Sequence, residues 1–241
     1  MEKIKISAVS YTNTKPFIYG IQNSTILEKI DLSLDIPADC AKKLIENQVD
    51  IGLIPVAAIP FVPNAQIISS FCIGSVGAVN SVFIFSDVPI QEIKTVKLDP
   101  QSRTSNNLAK VLLKNHFNVE VTFTTDQNAT TDAIVLIGDR TFGRKTDFNY
   151  AYDLGEEWMK FTGLPFMFAA WVANKPISEE FLKEFDIALA KGISNIPTVI
   201  NQLPAIKGID IADYLLHKLN FELNEDKLKA KDLFLSLIAQ L

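Results

Sequence analysis

The sequence predicts an α/β fold in two lobes. Short apolar strands alternate with helices from the start of the chain, and the first 56 residues follow the order β-α-β-α-β, which is typical of an α/β lobe. A second series of strands and helices begins after the Ser-Asp-Val-Pro segment at Ser86. From Ser178 onward the pattern is helical. We therefore expect lobe one to comprise 1–85 and 172–241, and lobe two 86–171.

The first predicted strand leads into a polar loop. Apolar and other residues alternate over 4–9, which predicts a strand, and the loop Ser10–Pro16 follows. Pro16 suits the first turn of a helix. Because small ligands bind beyond the carboxyl ends of strands in open α/β sheets, this loop is a candidate ligand site. The alternative is that its hydroxyl and amide groups only cap the helix.

The other elements of lobe one follow in order. Pro37 opens a helix whose apolar stripe is Ala41, Leu44 and Ile45. The apolar segment 51–56 is typical of a strand buried on both faces of a parallel sheet. The remaining predicted strands of this lobe are 32–36, 67–68, 72–78 and 80–85.

Lobe two contains a second polar loop before a helix. Ser102–Ser105 precedes a helix with an apolar stripe at Leu108, Val111 and Leu112. Free N–H groups and the helix dipole favour an anion at such a position. The predicted strands of this lobe are 95–98, 119–123, 133–137 and 148–152. The apolar run 166–173 then returns the chain to lobe one, and crossings near Phe85 and Phe168 would hinge the lobes around a cleft.

Composition excludes several function classes. The net charge is −5 without basic blocks, so the sequence lacks the electrostatic pattern of a nucleic-acid binder. No apolar run approaches the roughly 20 residues that span a bilayer, and we expect no membrane association. The first residues lead directly into a strand without a signal-peptide pattern, so we expect a cytoplasmic protein, as a monomer or homodimer.

Cysteine and histidine are scarce. The two cysteines, Cys40 and Cys72, and the two histidines, His116 and His217, have no zinc-site spacing. We interpret both cysteines as small apolar residues of the interior. We expect neither a metal nor an organic cofactor.

Six segments together resemble the chorismate dehydratases of the futalosine route to menaquinone. They occur in that family's order and spacing between residue 4 and about 175. In chain order they are Ser10–Pro16, Ile51–Pro55, Ser75–Val82, Ser102–Ser105, Ile137–Asp139, and Asp153–Trp158 with Thr162–Phe166. Two positions depart from the family pattern: Thr12 replaces an expected leucine, and Asn80 replaces a less polar residue. We expect both departures to leave the fold unchanged, and their place in these segments makes them candidates for an effect on the pocket.

The resemblance implies a two-lobed fold similar to type II periplasmic solute-binding proteins, with the ligand in a central cleft between the lobes. It also implies a carbon-oxygen lyase, a hydro-lyase that converts chorismate into 3-[(1-carboxyvinyl)oxy]benzoate. Because polar loops of both lobes would have to reach one ligand, we expect the cleft to close on binding.

Chorismate has two carboxylates, a hydroxyl group and an apolar ring, so its site needs anion donors, hydroxyl partners and apolar walls. We expect Asn13 and Ser81 to act catalytically, by positioning the leaving hydroxyl and a carboxylate. Their alternatives are a helix or turn cap for Asn13 and a backbone-bonded strand hydroxyl for Ser81. The expected substrate-binding residues are Ser10, Tyr11, Thr12, Thr14, Pro55, Val56, Ser75, Ser102, Arg103, Thr104, Ser105, Asp139 and Phe166. Arg103 is equally well explained as a surface residue, and Pro55, Val56 and Phe166 as core.

The proton acceptor is open at this point. Asp139, Asp153 and Glu156 lie in the matching segments, but Asp139 is adjacent to Arg140 and suits an ion pair, and Asp153 suits a helix cap. Both histidines lie outside the segments. A substrate carboxylate, held by Asn13 and the loops, is therefore a further hypothesis for the base.

Two other functions remain alternatives. One is a non-catalytic protein of the same fold that binds a small acid. The other is the later enzyme of the same pathway that forms 1,4-dihydroxy-6-naphthoate, which would need a reactive base such as a well-placed histidine.

Overall fold

The computed structural model describes residues 3–241 and contains two compact units. Unit 1 comprises the described chain up to Gly74, together with Met167–Ala205 and Asn220–Asn224. Unit 2 comprises Ser75–Phe166, Ile206–Leu219 and Glu225–Leu241. The chain passes from unit 1 to unit 2 after Gly74 and returns after Phe166.

The described residues form eleven strands and eight α-helices. The strands are β1 (Ile4–Val9), β2 (Ile30–Asp35), β3 (Ile51–Pro55), β4 (Gln66–Ser75), β5 (Val82–Ser86), β6 (Thr95–Lys97), β7 (Thr122–Thr124), β8 (Ala133–Ile137), β9 (Tyr150–Asp153), β10 (Phe166–Ala173) and β11 (Asn220–Glu222). The helices are α1 (Lys15–Gln22), α2 (Pro37–Ile45), α3 (Arg103–Asn115), α4 (Leu154–Thr162), α5 (Glu179–Ser194), α6 (Ile196–Gln202), α7 (Ile211–Asp213) and α8 (Glu225–Ile238).

Unit 1 is built on a six-stranded mixed sheet with the order β11-β4-β10-β3-β1-β2. β1 is parallel to both β2 and β3, so the carboxyl ends of these three strands lie at one edge. β10 is antiparallel to β3. Phe17 of α1 packs edge-on against Trp171 of β10 in the core, with ring centroids 5.8 Å apart.

Helices α1 and α5 of unit 1 approach each other through glycines. A Cβ atom at Gly192 would overlap the carbonyl oxygen of Pro16, and one at Gly20 would overlap the carbonyl oxygen of Ala188. Because Pro16 stands at the start of α1, this contact also fixes the end of the loop that follows β1.

Unit 2 is built on a five-stranded mixed sheet with the order β7-β6-β8-β5-β9. β6 is parallel to β7 and β8, whereas β5 is antiparallel to β8 and β9. Three aromatic rings form part of the core. The ring centroids of Trp158 (α4) and Phe166 are 5.1 Å apart, and those of Phe166 and Phe234 (α8) are 5.0 Å apart. The predicted apolar stripe of α3 is fully buried.

The predicted α/β fold in two lobes is confirmed, β1 and β8 have the predicted limits, and α2 begins at Pro37 as predicted. The prediction that the chain is wholly helical after Ser178 is wrong, because β11 pairs with β4 and forms the edge of the sheet. A three-residue strand that depends on a distant partner has no local pattern. The predicted strand at 67–68 and the first part of that at 72–78 form the single strand β4, which ends at Ser75.

The compact units also differ from the predicted lobes. β5 pairs with β8 and β9 and therefore lies in unit 2, whereas the predicted crossing near Phe85 places it in lobe one. Segments 206–219 and 225–241 also lie in unit 2, since α8 packs against α3 and contributes Phe234 to the aromatic core. Helical periodicity identifies the buried face of such a helix but not its partner.

Candidate functional site

The loop after β1 forms a polar edge of unit 1. The Ser10 N–H donates to the carbonyl oxygen of Asp35 at 2.9 Å, which continues the β1–β2 pairing. Residues Thr12–Thr14 then form one 3-10 turn that runs directly into α1. Thr12 and Thr14 are buried, Tyr11 and Asn13 are half-buried, and Ser10 is exposed.

Asn13 is held in one orientation by its neighbour. The Thr14 hydroxyl donates to Asn13 Oδ1 at 3.0 Å, and no side chain caps the N-terminus of α1. Asn13 is therefore not a helix cap, which was the alternative. Since no described group accepts a hydrogen bond from the Asn13 amide nitrogen, its two N–H bonds are available to a ligand.

Pro55 and Val56 lie at the same edge of unit 1. Ile6 is in register with Ile51 across the parallel β1–β3 pair, so the register places Pro55 level with Ser10. Both Pro55 and Val56 are buried. They supply apolar surface beside the polar loop.

The corresponding edge of unit 2 is organised around the buried carboxylate of Asp99. This carboxylate accepts hydrogen bonds from the Ile137 N–H at 3.1 Å and the Gln101 N–H at 2.8 Å, and it pairs with Arg140 at 2.7 Å. Its side chain is fully buried. Arg140 thus forms an ion pair with Asp99. The sequence does not predict this pair, because the two residues are 41 positions apart and meet only through the pairing of β6 with β8.

The N-terminus of α3 is capped by its own serines. Ser102 Oγ accepts from the Ser105 N–H at 3.1 Å, and the two hydroxyls are 3.0 Å apart. Ser102, Thr104 and Ser105 are buried, whereas Arg103 is exposed. Ser102 is therefore the helix cap of α3, and Arg103 is the exposed residue of this turn.

Asp153 ties the loop after β4 to the start of α4. Its buried carboxylate accepts four backbone N–H groups, those of Val79 at 3.1 Å, Asn80 at 2.6 Å, Gly155 at 2.9 Å and Glu156 at 3.1 Å. Burial raises the pKa of Asp153, and the four donors oppose that effect. Asp153 is thus a helix cap rather than an accessible base.

The loop that Asp153 holds is tightly packed. The Ser75 hydroxyl donates to the Gly77 carbonyl oxygen at 2.9 Å. A Cβ atom at Gly155 would lie 2.6 Å from that carbonyl oxygen and 2.7 Å from Ser75 Oγ. Ser75 is therefore buried and bonded within its own loop, and Glu156 is exposed and paired with Lys160 at 3.2 Å.

Ser81 stands at the beginning of β5, next to the end of β8. Its carbonyl oxygen accepts from the Gly138 N–H at 2.8 Å. Its buried hydroxyl accepts from the Tyr214 hydroxyl at 2.9 Å, so the alternative of a backbone-bonded serine does not hold. In the sequence, Tyr214 is one of several apolar positions in a helical pattern. Because Ser81 is 133 residues away, no local pattern predicts the hydrogen bond between them. Asp139 follows Gly138 in the turn Gly138–Thr141.

A cavity of about 810 Å³ in unit 2 borders this edge. Asn80 lines it in the left-handed conformation (φ 63°), which asparagine tolerates better than most residues. Lys145 Nζ donates to Asn80 Oδ1 at 2.6 Å and lies 4.9 Å from the centre of the Phe83 ring. The other lining residues are Thr141, Phe142, Gly143, Thr146, Lys207, Gly208, Ile209, Asp210 and Asp213.

Three predicted or considered residues lie away from these edges. Phe166 is buried in the aromatic core of unit 2, as its core interpretation expected. His116 follows the last residue of α3, at the end opposite Ser102, and pairs with Glu157 at 3.1 Å. Burial raises the pKa of the Cys40 thiol to about 12, which fits the interpretation of Cys40 as an inert interior residue.

Two further observations concern membrane-spanning helices and metal-binding clusters. Among the described residues, no helix has the length and apolar content to cross a membrane. The same residues contain no cluster of three histidine, cysteine or acidic side chains arranged to hold a metal ion.

Comparison with known protein families decides the assignment. A family model described as menaquinone biosynthesis matches residues 4–240. The chain belongs to this menaquinone biosynthesis family. The match extends through the C-terminal segments, beyond the part of the chain in which the sequence motifs occur.

Solved structures similar to this menaquinone biosynthesis protein show the fold. Protein AF1704 from Archaeoglobus fulgidus is 16% identical, with a TM-score of 0.70, 99% of this chain covered and 97% of that chain. The aliphatic sulphonate binding protein SsuA from Escherichia coli is 16% identical, with a TM-score of 0.61 and coverages of 100% and 92%. The Candida albicans CA3427 product, described as having the generic periplasmic binding protein fold, is 11% identical, with a TM-score of 0.68 and coverages of 100% and 91%. The periplasmic-binding-protein-like fold is thereby confirmed.

Proposed function

We propose that this menaquinone biosynthesis protein is a chorismate dehydratase, a hydro-lyase that converts chorismate into 3-[(1-carboxyvinyl)oxy]benzoate. The observation that carries the proposal is the amide of Asn13. Thr14 fixes its oxygen at a sheet edge, and its N–H bonds have no acceptor among the described residues. In a menaquinone biosynthesis protein, such an uncharged donor suits a substrate rich in oxygen atoms.

The proposed reaction needs orientation more than a strong base. A ring C–H bond and the neighbouring C–OH bond break, the C–H electron pair becomes the third double bond of the ring, and the proton and hydroxide leave as water. Because the ring becomes aromatic, most of the driving force comes from the substrate. The protein then contributes by holding the hydroxyl and carboxylates in place.

Asn13 and Ser81 are proposed to contact the leaving hydroxyl and a carboxylate of chorismate. The apolar residues Pro55 and Val56 would face the ring. Arg103 is an exposed residue at the start of α3, and a guanidinium group can pair with a carboxylate in two parallel hydrogen bonds. The remaining substrate-binding residues predicted from the sequence stay predictions.

A substrate carboxylate is proposed as the proton acceptor. Asp153 is buried under four N–H donors, Glu156 is paired with Lys160, and His116 is paired with Glu157. We expect Asp139→Asn and Glu156→Gln to retain turnover in a steady-state assay. A variant of either kind that binds chorismate without converting it would contradict this part of the proposal.

A non-catalytic protein that binds a small acid is the second candidate. It is favoured by the structural similarity to a sulphonate binding protein. The third candidate, the enzyme that forms 1,4-dihydroxy-6-naphthoate, lacks support from the histidines, because His116 lies at the C-terminal end of α3 and His217 is exposed in the turn Tyr214–Lys218.

One experiment separates the three candidates. Purified protein is titrated with chorismate to measure binding, and the same mixture is chromatographed to detect an aromatic product. We expect both binding and product. Binding without product would favour the binding protein, and the absence of binding would favour the later pathway enzyme.

Three further expectations belong to the proposal. We propose that both units bind the same chorismate molecule and close on it, which small-angle scattering with and without saturating ligand tests; identical scattering curves would contradict closure. We also propose a cytoplasmic location, and a monomer or homodimer, which light scattering of the purified protein distinguishes.

A further inference from the structure

Tyr214 and Ser81 form a buried pair of hydroxyl groups in unit 2. Their oxygen atoms are 2.9 Å apart, with Tyr214 donating to Ser81 Oγ. Tyr214 is 1% exposed and Ser81 is 2% exposed. The bond is therefore shielded from competing water, which strengthens it relative to a surface hydrogen bond.

The local backbone fixes the tyrosine ring. Asp210 accepts from the Ala212 and Asp213 N–H groups at 2.9 and 3.1 Å and so begins the short helix that leads to Tyr214. The Leu219 N–H then donates to the Tyr214 carbonyl oxygen at 3.1 Å, which makes Tyr214–Lys218 a single π-helical turn. Turns of the π-helical type are rare, and those that do occur are often found at functional sites.

Phe142 also packs against the ring of Tyr214. Its side chain packs edge-on against Tyr214, with centroids 5.4 Å apart, and also lines the 810 Å³ cavity. Tyr214 is thus buried in contact with both Phe142 and Ser81, and its hydroxyl has little freedom to move away from Ser81.

We propose that Tyr214 is a positioning residue that orients the hydroxyl proton of Ser81 toward the substrate. A serine hydroxyl has one proton and two acceptor sites. When Tyr214 occupies one acceptor site, the Ser81 proton points elsewhere, and the incoming hydrogen bond makes that proton a stronger donor. The recipient would be a carboxylate or hydroxyl oxygen of chorismate, so the inference rests on the proposed function.

A purely structural role explains the pair less well. The backbone of Ser81 is already held by the Gly138 N–H, 2.8 Å from the Ser81 carbonyl oxygen, and by the adjacent strand β5. The tyrosine hydroxyl is therefore not needed to place Ser81 in the chain fold. Its remaining effect is on the direction of the serine hydroxyl.

The test compares Tyr214→Phe with the matched control Tyr152→Phe. Tyr152 is a half-buried residue of unit 2 whose hydroxyl also forms a hydrogen bond, accepting from the Ile90 N–H at 2.9 Å, but it does not contact Ser81. We expect Tyr214→Phe to lower kcat for chorismate about tenfold with KM changed less than about twofold, since loss of one oriented donor acts on the transition state. Tyr152→Phe should retain the wild-type kcat.

The double variant Ser81→Ala/Tyr214→Phe completes the test. Because Tyr214 acts through Ser81, the double variant should be no slower than Ser81→Ala alone. If turnover by Ser81→Ala is too slow to measure, the affinity for chorismate is compared between the variants instead. Wild-type kcat in Tyr214→Phe, additive losses, or an unfolded Tyr214→Phe protein would overturn the inference. Failure of the wild-type protein itself to convert chorismate would instead overturn the proposed function.

Discussion

The polar edges of the two units differ in how their side chains are bonded. At the edge of unit 1, Thr14 fixes the oxygen of Asn13, and the amide N–H bonds have no acceptor among the described residues. At the edge of unit 2, Ser75, Ser102 and Ser81 already bond to groups of their own unit. Under the proposed function, unit 1 would present a hydrogen-bond donor to the ligand, and unit 2 would supply side chains that are already held in place by hydrogen bonds within the unit.

The largest expected effect is that of Asn13→Ala. Loss of an oriented donor that acts in the transition state typically lowers kcat by about 10²- to 10³-fold. Because Asn13 caps no helix, the melting temperature should change little. The measurement is the initial rate of aromatic product formation beside a thermal melt.

Asn23→Ala is the matched control for Asn13. Asn23 is an exposed asparagine at the other end of α1, where its amide donates to the Tyr19 carbonyl oxygen at 2.8 Å. Its replacement should leave kcat unchanged. Full turnover in Asn13→Ala would remove the proposed role of Asn13 and with it the contrast between the two edges.

Asp153→Ala should mainly destabilise unit 2. Removal of this buried carboxylate leaves the N–H groups of Val79, Asn80, Gly155 and Glu156 without their acceptor. We expect the free energy of unfolding to fall by about 2–4 kcal/mol, measured by urea denaturation. If the free energy of unfolding falls by less than it does on loss of an exposed helix cap, the view that the hydrogen bonds of Asp153 keep this edge rigid would be contradicted.

The exposed cap Asp210 provides the reference for Asp153. It accepts only from the Ala212 and Asp213 N–H groups. Asp210→Ala should therefore lower the free energy of unfolding by about 1 kcal/mol. The difference between the two substitutions measures the contribution of burial at Asp153.

Gly192→Ala tests whether the loop of unit 1 depends on its support. The new methyl group would overlap the Pro16 carbonyl oxygen at the start of α1. Overpacking of this kind costs about 1–3 kcal/mol, and we expect a lower kcat as well, because the start of α1 and Asn13 would shift together. Unchanged kcat in a destabilised Gly192→Ala protein would show that the loop is positioned independently of α5.

The smallest expected effect concerns thiol chemistry. The thiolate is the reactive form of cysteine, and the pKa of Cys40 is raised to about 12 by burial, so its thiol stays protonated at pH 8. Cys72 is also buried. A colorimetric thiol reagent should detect neither cysteine in the native protein and both in denaturant, whereas rapid native labelling would place a reactive nucleophile in the interior.

Local patterns in the sequence predict much of the fold. The alternation in β1, the proline that opens α2 and the apolar stripe of α3 each depend on neighbouring residues, and each is confirmed. The strand β11 and the packing of α8 in unit 2 depend on distant partners. For that reason periodicity alone missed β11 and did not predict where α8 packs.

The same division applies to the candidate site. The loop residues Ser10–Thr14 follow a strand directly, so their place at a sheet edge could be predicted. The Arg140–Asp99 ion pair and the Tyr214–Ser81 hydrogen bond join residues 41 and 133 positions apart. Only the fold brings these groups together, and the sequence around each residue contains no sign of its partner.

The most direct test of the account is the reaction itself. Wild-type protein, dialysed against EDTA and without added cofactor, is mixed with chorismate, and the mass of the small-molecule product is measured over time. The account predicts catalytic formation of an aromatic product lighter than chorismate by one water molecule. Chorismate recovered unchanged after prolonged incubation would contradict it.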